Sequence, residues 1–289
     1  MPRPLRDYGL RDWLRLRPLS HGYKQAGRLA LDAAYRRRKP ADPAALAQAI
    51  AAVAGRPLAV TVAFNAPWII GWQLRFLARF LDAAVLVADN STDAAKAAEI
   101  AALCAARGVA YVRLPPNPYN NGRNFSMSHG FALNWVRRNV VAPARPPVFA
   151  FLDHDLIPVA SVRLVDYVAA QPAYGRLETR GQGIWYLWPG FCVFDGAFAA
   201  RHRLDFRPDG PNGLDTGGMN WWRVFRALDR GALRFPEPGP GPYERFDRWV
   251  HFGNASEYIP VGADRRGQLE AFLDRLWHDA APAPSPARS

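Results

Sequence analysis

The residues best suited to chemistry stand at the end of an apolar run, where positions 148–155 read Val-Phe-Ala-Phe-Leu-Asp-His-Asp. Such a run predicts a strand buried on both faces, and open α/β sheets bind ligands just beyond the carboxyl ends of their strands. Asp153 and Asp155 therefore predict a site for Mg²⁺ or Mn²⁺, which takes one or two protein carboxylates and completes its shell with water and phosphate oxygens. We expect the ligand to be a phosphorylated molecule. The alternative is that both side chains cap a helix predicted near Ser161.

The elements before this run alternate between strand and helix. Apolar runs predict strands at 58–64, 84–88, 109–114 and 148–152. Helical patterns lie between them at 67–81, 94–107 and 127–139. This alternation is typical of βαβ units and predicts an α/β fold with a mainly parallel sheet. After Asp155 the regular pattern gives way to aromatic, glycine-rich and Pro/Gly segments, which predict a second half shaped by loops.

Polar side chains also follow the first two predicted strands. Asn65 ends the first strand, and Asp89-Asn90-Ser91-Thr92-Asp93 follows the second. Because parallel strands end at one edge of a sheet, we expect these side chains to share an edge with Asp153. A carboxylate there can hold a ribose or a base edge, while the next helix start offers free N–H groups. The alternative for 89–93 is a plain Asx turn with a helix N-cap.

Four features resemble one known family in their order and spacing: the strand ending near Asn65, the segment 89–93, the Asn- and Gly-rich segment 117–130, and Leu152-Asp153-His154-Asp155. Together they resemble the nucleotide-sugar-binding half of GT-A-fold glycosyltransferases, especially the large family-two group. The resemblance covers about residues 57–160. It implies a Rossmann-type, mainly parallel sheet flanked by helices, followed by an irregular, acceptor-binding C-terminal half.

The resemblance implies a role for each matching position of the first half. Asp153 and Asp155 would match the family's Asp-x-Asp and bind the Mn²⁺ or Mg²⁺ that bridges the donor diphosphate. The metal would then stabilise charge on the departing nucleoside diphosphate. The residues expected to bind the nucleotide-sugar, in addition to Asp153, are Asn65, Asp89, Asn90, Ser91, Asn121, Gly122 and His129.

The resemblance also places the catalytic base in the second half. Asp215, within the segment 213–218, has the position of an acidic residue that removes the proton of the acceptor hydroxyl in inverting members. The family's Glu-Asp pair reads Leu214-Asp215 in this chain. Glu178 and Asp195 are reserve candidates for the base, and the alternative for Asp215 is a helix N-cap.

Two further features belong to the second half. His251, beside Gly253, is expected to be a third metal ligand, because some members of the family supply a late histidine to the metal or diphosphate. The alternative is an ordinary packed or surface histidine. The aromatic run at 184–191 predicts either a stacking platform for a sugar or lipid-linked acceptor, or part of the core.

The positive charge of the chain is concentrated at its N-terminus. The 289 residues carry a formal charge of +12, and residues 1–40, with 11 Lys or Arg and three Asp, contribute +8 of it. Leu10, Trp13, Leu14 and Leu16 lie among these arginines. Such a mixture can dock on anionic lipid or bind nucleic acid, or it can form a solvated, partly disordered arm.

The composition is that of a globular protein, with 49% hydrophobic residues and two cysteines that we expect to be reduced and buried. No apolar run predicts a membrane span or a signal peptide, so we expect a cytoplasmic protein, with peripheral attachment to the inner face of the membrane as an option. The expected organisation is a basic arm with helices at 1–55, a nucleotide-sugar-binding half at 56–160, an acceptor-binding half of the same domain at 161–278, and a disordered tail at 279–289.

The function predicted from the sequence is that of a metal-dependent glycosyltransferase. It would move a sugar, with inversion, from a nucleoside diphosphate-sugar to a glycan, lipid-linked or other hydroxyl acceptor. Sugar nucleotidyltransferases and dinucleotide enzymes fit less well, because no Gly-rich loop follows the first strand at 63–67. The alternative is a non-catalytic basic α/β module that binds anionic membrane or nucleic acid. Since the basic charge lies outside the regular α/β region, we expect no specific nucleic-acid partner.

Overall fold

The computed structural model describes residues 3–120, 124–181, 183–253, 255 and 263–279. Two predicted site residues, Asn121 and Gly122, and positions 280–289 of the expected tail lie outside the described residues. The strands, in chain order, are β1 (Leu58–Ala63), β2 (Leu81–Asp82), β3 (Ala84–Asp89), β4 (Ala110–Arg113), β5 (Val148–Asp153), β6 (Leu156–Pro158), β7 (Val162–Arg163), β8 (Ala173–Arg180), β9 (Ile184–Asp195), β10 (Pro238–Gly239), β11 (Glu244–Phe246) and β12 (Trp249–His251).

Helices precede, separate and follow these strands. They are α1 (Leu10–Leu14), α2 (Arg17–Tyr35), α3 (Pro43–Val53), α4 (Pro67–Phe80), α5 (Ala94–Ala105), α6 (Phe125–Val136), α7 (Ala142–Ala144), α8 (Leu164–Val168), α9 (Gly196–Arg201), α10 (Met219–Arg223) and α11 (Ala263–Asp279). A π-helical turn at Arg137–Val141 joins α6 to α7 without a break.

The central sheet has the strand order β4-β3-β1-β5-β9-β8. Strand β1 pairs in parallel with β3 and β5, and β3 pairs in parallel with β4, whereas β9 runs antiparallel to β5 and β8. The predicted α/β fold with a mainly parallel sheet flanked by helices is confirmed. The register places Ala63 opposite Asp89 and Val62 opposite Asp153. The strands that the polar residues follow therefore end at one edge.

Helices cover both faces of this sheet. Side chains of a strand point alternately to its two faces, so successive residues of β1 enter two different cores. On one face Val60 belongs to the same buried cluster as Phe131 of α6. On the other face Ala59 belongs to a cluster with Leu74 of α4. Every residue of β1 is buried, which explains why its sequence is a continuous rather than an alternating apolar run.

A smaller antiparallel sheet, with the order β10-β11-β12-β6, links the second half of the chain to the turn after β5. Strand β12 pairs with β6, and this pairing sets His251 opposite Leu156. Leu156 directly follows Asp155 in the chain. The small sheet thus carries a histidine from late in the sequence to the predicted metal ligands.

The basic N-terminus is largely helical, and α2 packs on the domain. Tyr35, at the end of α2, is 1% exposed, and its hydroxyl donates to the carbonyl of Pro115 at 3.2 Å. Gln25 Nε2 donates to the buried carboxylate of Asp209 at 2.6 Å. These contacts make α2 part of the fold rather than a free arm. Among the described residues, no helix combines the length and the apolar character that crossing a membrane requires.

Candidate active site

A cleft of about 450 Å³ opens at the edge where the parallel strands end. Six of the predicted site residues line it: Asn90, His129, Asp153, Asp155, Asp215 and His251. A larger cavity of about 620 Å³, with Arg3, Arg180 and Trp222 in its walls, contains none of these residues. The smaller cleft is therefore the one in which carboxylates and histidines converge.

A tight turn between β5 and β6 presents the two central carboxylates. Gln73, fully buried in α4, donates from Nε2 to the carbonyls of Asp153 at 2.6 Å and Leu156 at 2.9 Å, and so holds both ends of the turn. The backbone N–H of Ala255 donates to Asp155 Oδ2 at 3.2 Å. The next helix, α8, begins only at Leu164. Neither carboxylate caps a helix, and both face the cleft instead.

His251 completes a cluster that can hold a cation. One ligand atom each from Asp153, Asp155 and His251 all lie within 4.8 Å of one another. His251 Nε2 lies 3.4 Å from Asp155 Oδ1. Two carboxylate oxygens and one imidazole nitrogen form a donor set that suits Mn²⁺, and the carboxylates alone suit Mg²⁺. The residues present therefore fit a divalent cation.

The electrostatics of the cluster favour positive charge. Burial, and next the charge of Asp155, raises the pKa of Asp153 to about 6. Burial acts to raise the pKa of Asp155 as well, but the hydrogen bond and charge of His251 hold it below its usual range. Burial acts to lower the pKa of His251, whereas its bonds to Asp155 and Glu244 raise it to about 10. Two close carboxylates thus draw a positive charge between them, as a cation site requires.

Glu244 contacts the histidine on the side away from Asp155, and no sequence pattern predicted it. Glu244 Oε2 lies 2.8 Å from His251 Nδ1, and Arg176 Nε donates to Glu244 Oε1 at 2.6 Å. Trp188 packs on the His251 ring at 4.7 Å between centroids, with the Arg176 guanidinium 5.0 Å from the Trp188 ring. A metal-bound histidine commonly donates its other ring N–H to a carboxylate, which orients the ring. Glu244 has the position for that role.

Asp89 lies inside the protein and does not line the cleft. Its side chain is 0% exposed, and one oxygen lies 2.8 Å from Arg113 Nη1. The hydroxyl of Tyr111 donates to the same carboxylate at 2.7 Å, and the N–H of Ser91 donates at 2.8 Å. In the structure Asp89 therefore anchors the loop after β3 by its bonds to Ser91, Tyr111 and Arg113.

Asn65 connects the loops that follow β1 and β3. Its backbone has a φ of 48°, a left-handed conformation that asparagine tolerates better than most residues. Its Oδ1 accepts from the N–H groups of Thr92 and Asp93, each at 3.0 Å, and its own N–H donates to Ser91 Oγ at 2.8 Å. Asn65 fixes one loop to the other rather than lining the cleft.

Asn90 reaches the cleft from an amide network. Its Nδ2 donates to Ser128 Oγ at 3.0 Å, its carbonyl accepts from Asn120 Nδ2 at 2.8 Å, and its Oδ1 accepts from Asn117 Nδ2 at 3.3 Å. Only the Asn-rich composition of 117–130 pointed to these partners. The network ties the loop after β3 to α6.

His129 stands in α6 beside the carboxylates. Its Nε2 lies 3.7 Å from Asp153 Oδ1. Burial lowers the pKa of His129 to about 4, so the ring is neutral at pH 7. A neutral imidazole can donate one hydrogen bond and accept another, which suits contact with a polar ligand.

Asp215 is an exposed residue in the wall of the cleft, between the buried residues Leu214 and Thr216. Its Oδ1 accepts from the N–H of Thr216 at 2.7 Å. Helix α10 begins at Met219 with Gly218 as its N-cap, so Asp215 does not cap it. At Gly217 φ is +84°, and a Cβ there would lie 3.1 Å from the Leu187 carbonyl. Any other residue would be strained at this turn, two residues after Asp215.

The reserve candidates for the base have other contacts. Asp195 caps α9 by accepting from the N–H of Phe198 at 2.7 Å. Glu178 pairs with Arg176 and Arg180. In the aromatic run, Trp185, Tyr186 and Phe191 are at most 3% exposed and belong to the core, whereas Trp188 lines the cleft. The aromatic run thus contributes side chains both to the core and to the lining of the cleft.

No protein-family model and no curated protein matches the chain. Among solved structures, TarS of S. aureus has a TM-score of 0.36 and 17% identity over 53% of this chain and 31% of TarS. A mycobacterial protein has a TM-score of 0.32 and 20% identity over 55% of this chain and 59% of that one. Glucosyl-3-phosphoglycerate synthase from Mycobacterium tuberculosis, solved with Mn²⁺, uridine diphosphate and glucosyl-3-phosphoglycerate, has a TM-score of 0.41 and 16% identity, over 86% of this chain and 87% of that one. This chain thus spans less than two thirds of the first two structures, and the scores assign no activity to it.

Proposed function

We propose that this protein is a glycosyltransferase that moves a sugar from a nucleoside diphosphate-sugar to a hydroxyl acceptor, with Mn²⁺ or Mg²⁺ as cofactor. The observation that carries the proposal is the convergence of Asp153, Asp155, His251 and Asp215 in one cleft at the carboxyl ends of parallel strands. Asp153, Asp155 and His251 suit a divalent cation, which can in turn bind a diphosphate, and Asp215 suits proton removal. A metal-dependent sugar transfer with inversion uses both.

In this proposal the donor lies along the strand ends. Asn90 and His129 contact the nucleotide-sugar directly, because both line the cleft. Asn65, Asp89 and Ser91 act by fixing the loops on which the nucleotide rests, as their mutual hydrogen bonds support. The assignment of Asn121 and Gly122 to the same pocket stays a prediction from the sequence.

Asp153, Asp155 and His251 would hold the cation between them. When bound, the cation acts as a Lewis acid that stabilises negative charge on the departing diphosphate. His251 must offer a neutral nitrogen to a metal, and its proton would remain on Nδ1, facing Glu244. Trp188 and the turn held by Gln73 keep this donor set in place.

Asp215 is the proposed general base. It removes the proton of the acceptor hydroxyl while that oxygen forms a bond to the anomeric carbon of the sugar. On the opposite side of that carbon the bond to the diphosphate breaks, and the diphosphate takes the electron pair. The configuration at the carbon is therefore inverted. The exposed position of Asp215 in the cleft wall leaves it accessible to an acceptor, whether a glycan, a lipid-linked molecule or another alcohol.

We propose a cytoplasmic location for this activity. Cys104 and Cys192 are free and buried. Unpaired thiols of this kind are typical of proteins in reducing compartments. Attachment to the inner face of a membrane would come from the exposed surface of the N-terminal helices, which do not line the cleft.

A two-stage experiment tests the proposal. A panel of nucleoside diphosphates is first screened by thermal shift with and without Mn²⁺, and a shift that needs both ligand and metal identifies the donor class. The matching nucleoside diphosphate-sugar is then assayed for hydrolysis or transfer. Asp155→Ala should abolish the metal-dependent reaction, and Asp215→Asn should slow transfer while the donor and metal still bind.

Asp166→Ala is the matched control, because this aspartate is 63% exposed and lies outside the cleft. It should retain full activity. Undiminished metal-dependent turnover in Asp155→Ala would reject the proposal. So would a wild-type protein that shows no thermal shift with any nucleoside diphosphate in the presence of Mn²⁺ or Mg²⁺.

The second candidate function is a non-catalytic binding module. It is favoured by the exposed apolar and basic side chains of α1 and α2. Deleting residues 1–40 would not test it cleanly, since Tyr35 is buried in the core. Point substitutions on the exposed side of α1 and α2 separate the two functions: soluble sugar transfer should survive them if the protein is an enzyme.

A further inference from the structure

Exposed large hydrophobic side chains are concentrated in one short segment of this protein. Among the described residues, eight of the nine large hydrophobic side chains that are exposed lie between positions 5 and 29. Six of them are more than 60% exposed and are here called the leucine face: Leu5, Leu10, Leu14, Leu16, Leu19 and Tyr23. An exposed apolar surface of this kind usually marks an interaction site.

The residues of the leucine face lie on surface that the domain leaves uncovered. The buried residues of α2 are Pro18, Gln25, Asp32 and Tyr35, and the last three form hydrogen bonds with the domain. Leu19 and Tyr23 are spaced four apart and are 64% and 84% exposed, so they form a stripe on the same helix that takes no part in that packing. Folding of the domain therefore does not explain these side chains.

Basic residues are interleaved with the leucine face. Arg6, Arg11, Arg15, Arg17 and Lys24 are all exposed. Arg17 pairs with Asp12 at 2.9 Å, one of only three acidic residues in positions 1–40. Apolar side chains surrounded by Arg and Lys are the pattern of a helix that lies in the interface of an anionic bilayer.

The charge pattern discriminates among possible partners. A second copy of the same face would bring like charges together, which opposes association. Nucleic acid would satisfy the arginines through its phosphates but would leave the leucines in water. An anionic membrane satisfies both, since its headgroups attract the arginines and its acyl boundary takes the leucines.

We propose that α1 and the exposed side of α2 dock this protein on a membrane that contains anionic phospholipid. The leucine face enters the boundary between headgroups and acyl chains, and the flanking arginines bind headgroup phosphates. The helices lie in the plane of the surface and do not cross it. This inference goes beyond sugar transfer and does not depend on it.

The test is co-sedimentation of the full chain with vesicles. Vesicles of phosphatidylcholine with phosphatidylglycerol should bind the protein, and vesicles of phosphatidylcholine alone should bind it much less. Leu14→Ser/Leu19→Ser should weaken binding by about tenfold or more, because two apolar side chains no longer favour insertion. Both positions are exposed, so the fold should be preserved, as circular dichroism and thermal unfolding would verify.

Two controls accompany this variant. Leu14→Ile/Leu19→Ile keeps the apolar surface and should bind as the wild type does. Arg11→Gln/Arg15→Gln should reduce binding to anionic vesicles, whereas Arg107→Gln, an exposed arginine at the end of α5, should not.

The proposal is overturned if the wild type fails to bind anionic vesicles, or if the serine variant binds them as tightly as the wild type. It is also overturned if the wild type is a dimer that the serine variant converts to a monomer without any change in lipid binding. In that case a second copy, and not a membrane, covers the leucine face.

Discussion

Replacing Glu244 with glutamine should weaken Mn²⁺ binding without removing a metal ligand. Glu244 accepts from His251 at 2.8 Å, and a hydrogen bond to a charged group contributes about 1.5–3 kcal/mol. Glu244 is 39% exposed, so solvent screens the bond and the lower end of this range applies. Since about 1.4 kcal/mol corresponds to a factor of ten, we expect the dissociation constant to rise about tenfold. Titration calorimetry with Mn²⁺ on the metal-free protein measures it directly.

Comparing Mn²⁺ binding by several variants tests separately whether the metal site exists and whether Glu244 orients His251. Glu237→Gln is the matched control, because Glu237 is exposed and bonds to Asp247 through its backbone N–H and carbonyl, which the substitution keeps. It should bind Mn²⁺ as the wild type does. If Glu244→Gln also binds with unchanged affinity while Asp155→Ala loses binding, the metal site is real but Glu244 does not orient His251. If the wild type binds no Mn²⁺, the metal site itself is refuted.

Three further predictions concern stability. Gly130→Ala should destabilise the protein by about 1–3 kcal/mol in urea unfolding, because the new Cβ would lie 2.5 Å from the Phe206 carbonyl oxygen. Its control, Gly71→Ala, meets no atom of another helix closer than 3.9 Å and should stabilise the protein by about 0.5–1 kcal/mol. Equal urea midpoints for the two variants would contradict the packing described. Asp205→Asn should cost about 3–5 kcal/mol at pH 7, since it leaves the buried Arg207 without its partner. Burial acts to raise the pKa of Asp205, but the bond from Arg207 lowers it overall. The ionised Asp205 therefore contributes to stability at pH values above the ordinary aspartate pKa, and this contribution is lost as the pH falls through the folded-state pKa. If the difference in unfolding free energy between Asp205→Asn and the wild type does not narrow in acid, this account is excluded. Mn²⁺ at about a hundred times its dissociation constant should raise the unfolding free energy by about 2.7 kcal/mol, and a chelator should reverse the gain; an unchanged melting temperature would argue against binding to the native state.

The strands and helices of the first half were predictable because they depend on local pattern. The run at 58–64 became β1 (Leu58–Ala63), since a strand covered on both faces needs apolar residues at every position. The helix predicted at 94–107 ends as α5 at Ala105, and Gly108 follows it with a φ of 63°. Glycine adopts this left-handed conformation at little cost, which makes such an ending readable from the sequence.

The direction of a polar side chain at a strand end was not predictable. Sequence placed Asp89 at the correct edge of the sheet, but the structure turns it inward onto Arg113 and Tyr111. An arginine and a tyrosine of the neighbouring strand decide this, and their alignment with Asp89 depends on the register between β3 and β4. A strand-end carboxylate can face either ligand or core, and only the partners across the sheet distinguish the two.

The metal cluster combines a local and a long-range component. Asp153 and Asp155 are separated by one residue in the sequence, and placing them needed only the prediction of β5. His251 and Glu244 reach them through the pairing of β12 with β6 and β11, which no local pattern specifies. The resemblance to a family suggested His251, but nothing in the sequence indicated Glu244.

The position of His251 depends on how the small sheet packs, whereas Asp153 and Asp155 are placed by β5 and the turn after it. Strands β11 and β12, which carry Glu244 and His251, are three residues long each, so few backbone hydrogen bonds hold them. Their position depends instead on Trp249 and Val250, both 0% exposed, and Trp249 Nε1 also donates to the Tyr167 hydroxyl at 3.0 Å. Packing behind the small sheet therefore sets the distance between the imidazole and the two carboxylates. A cavity created at Trp249 would loosen the cation site without altering any ligand, because the third donor is only as well placed as the core on which its strand rests.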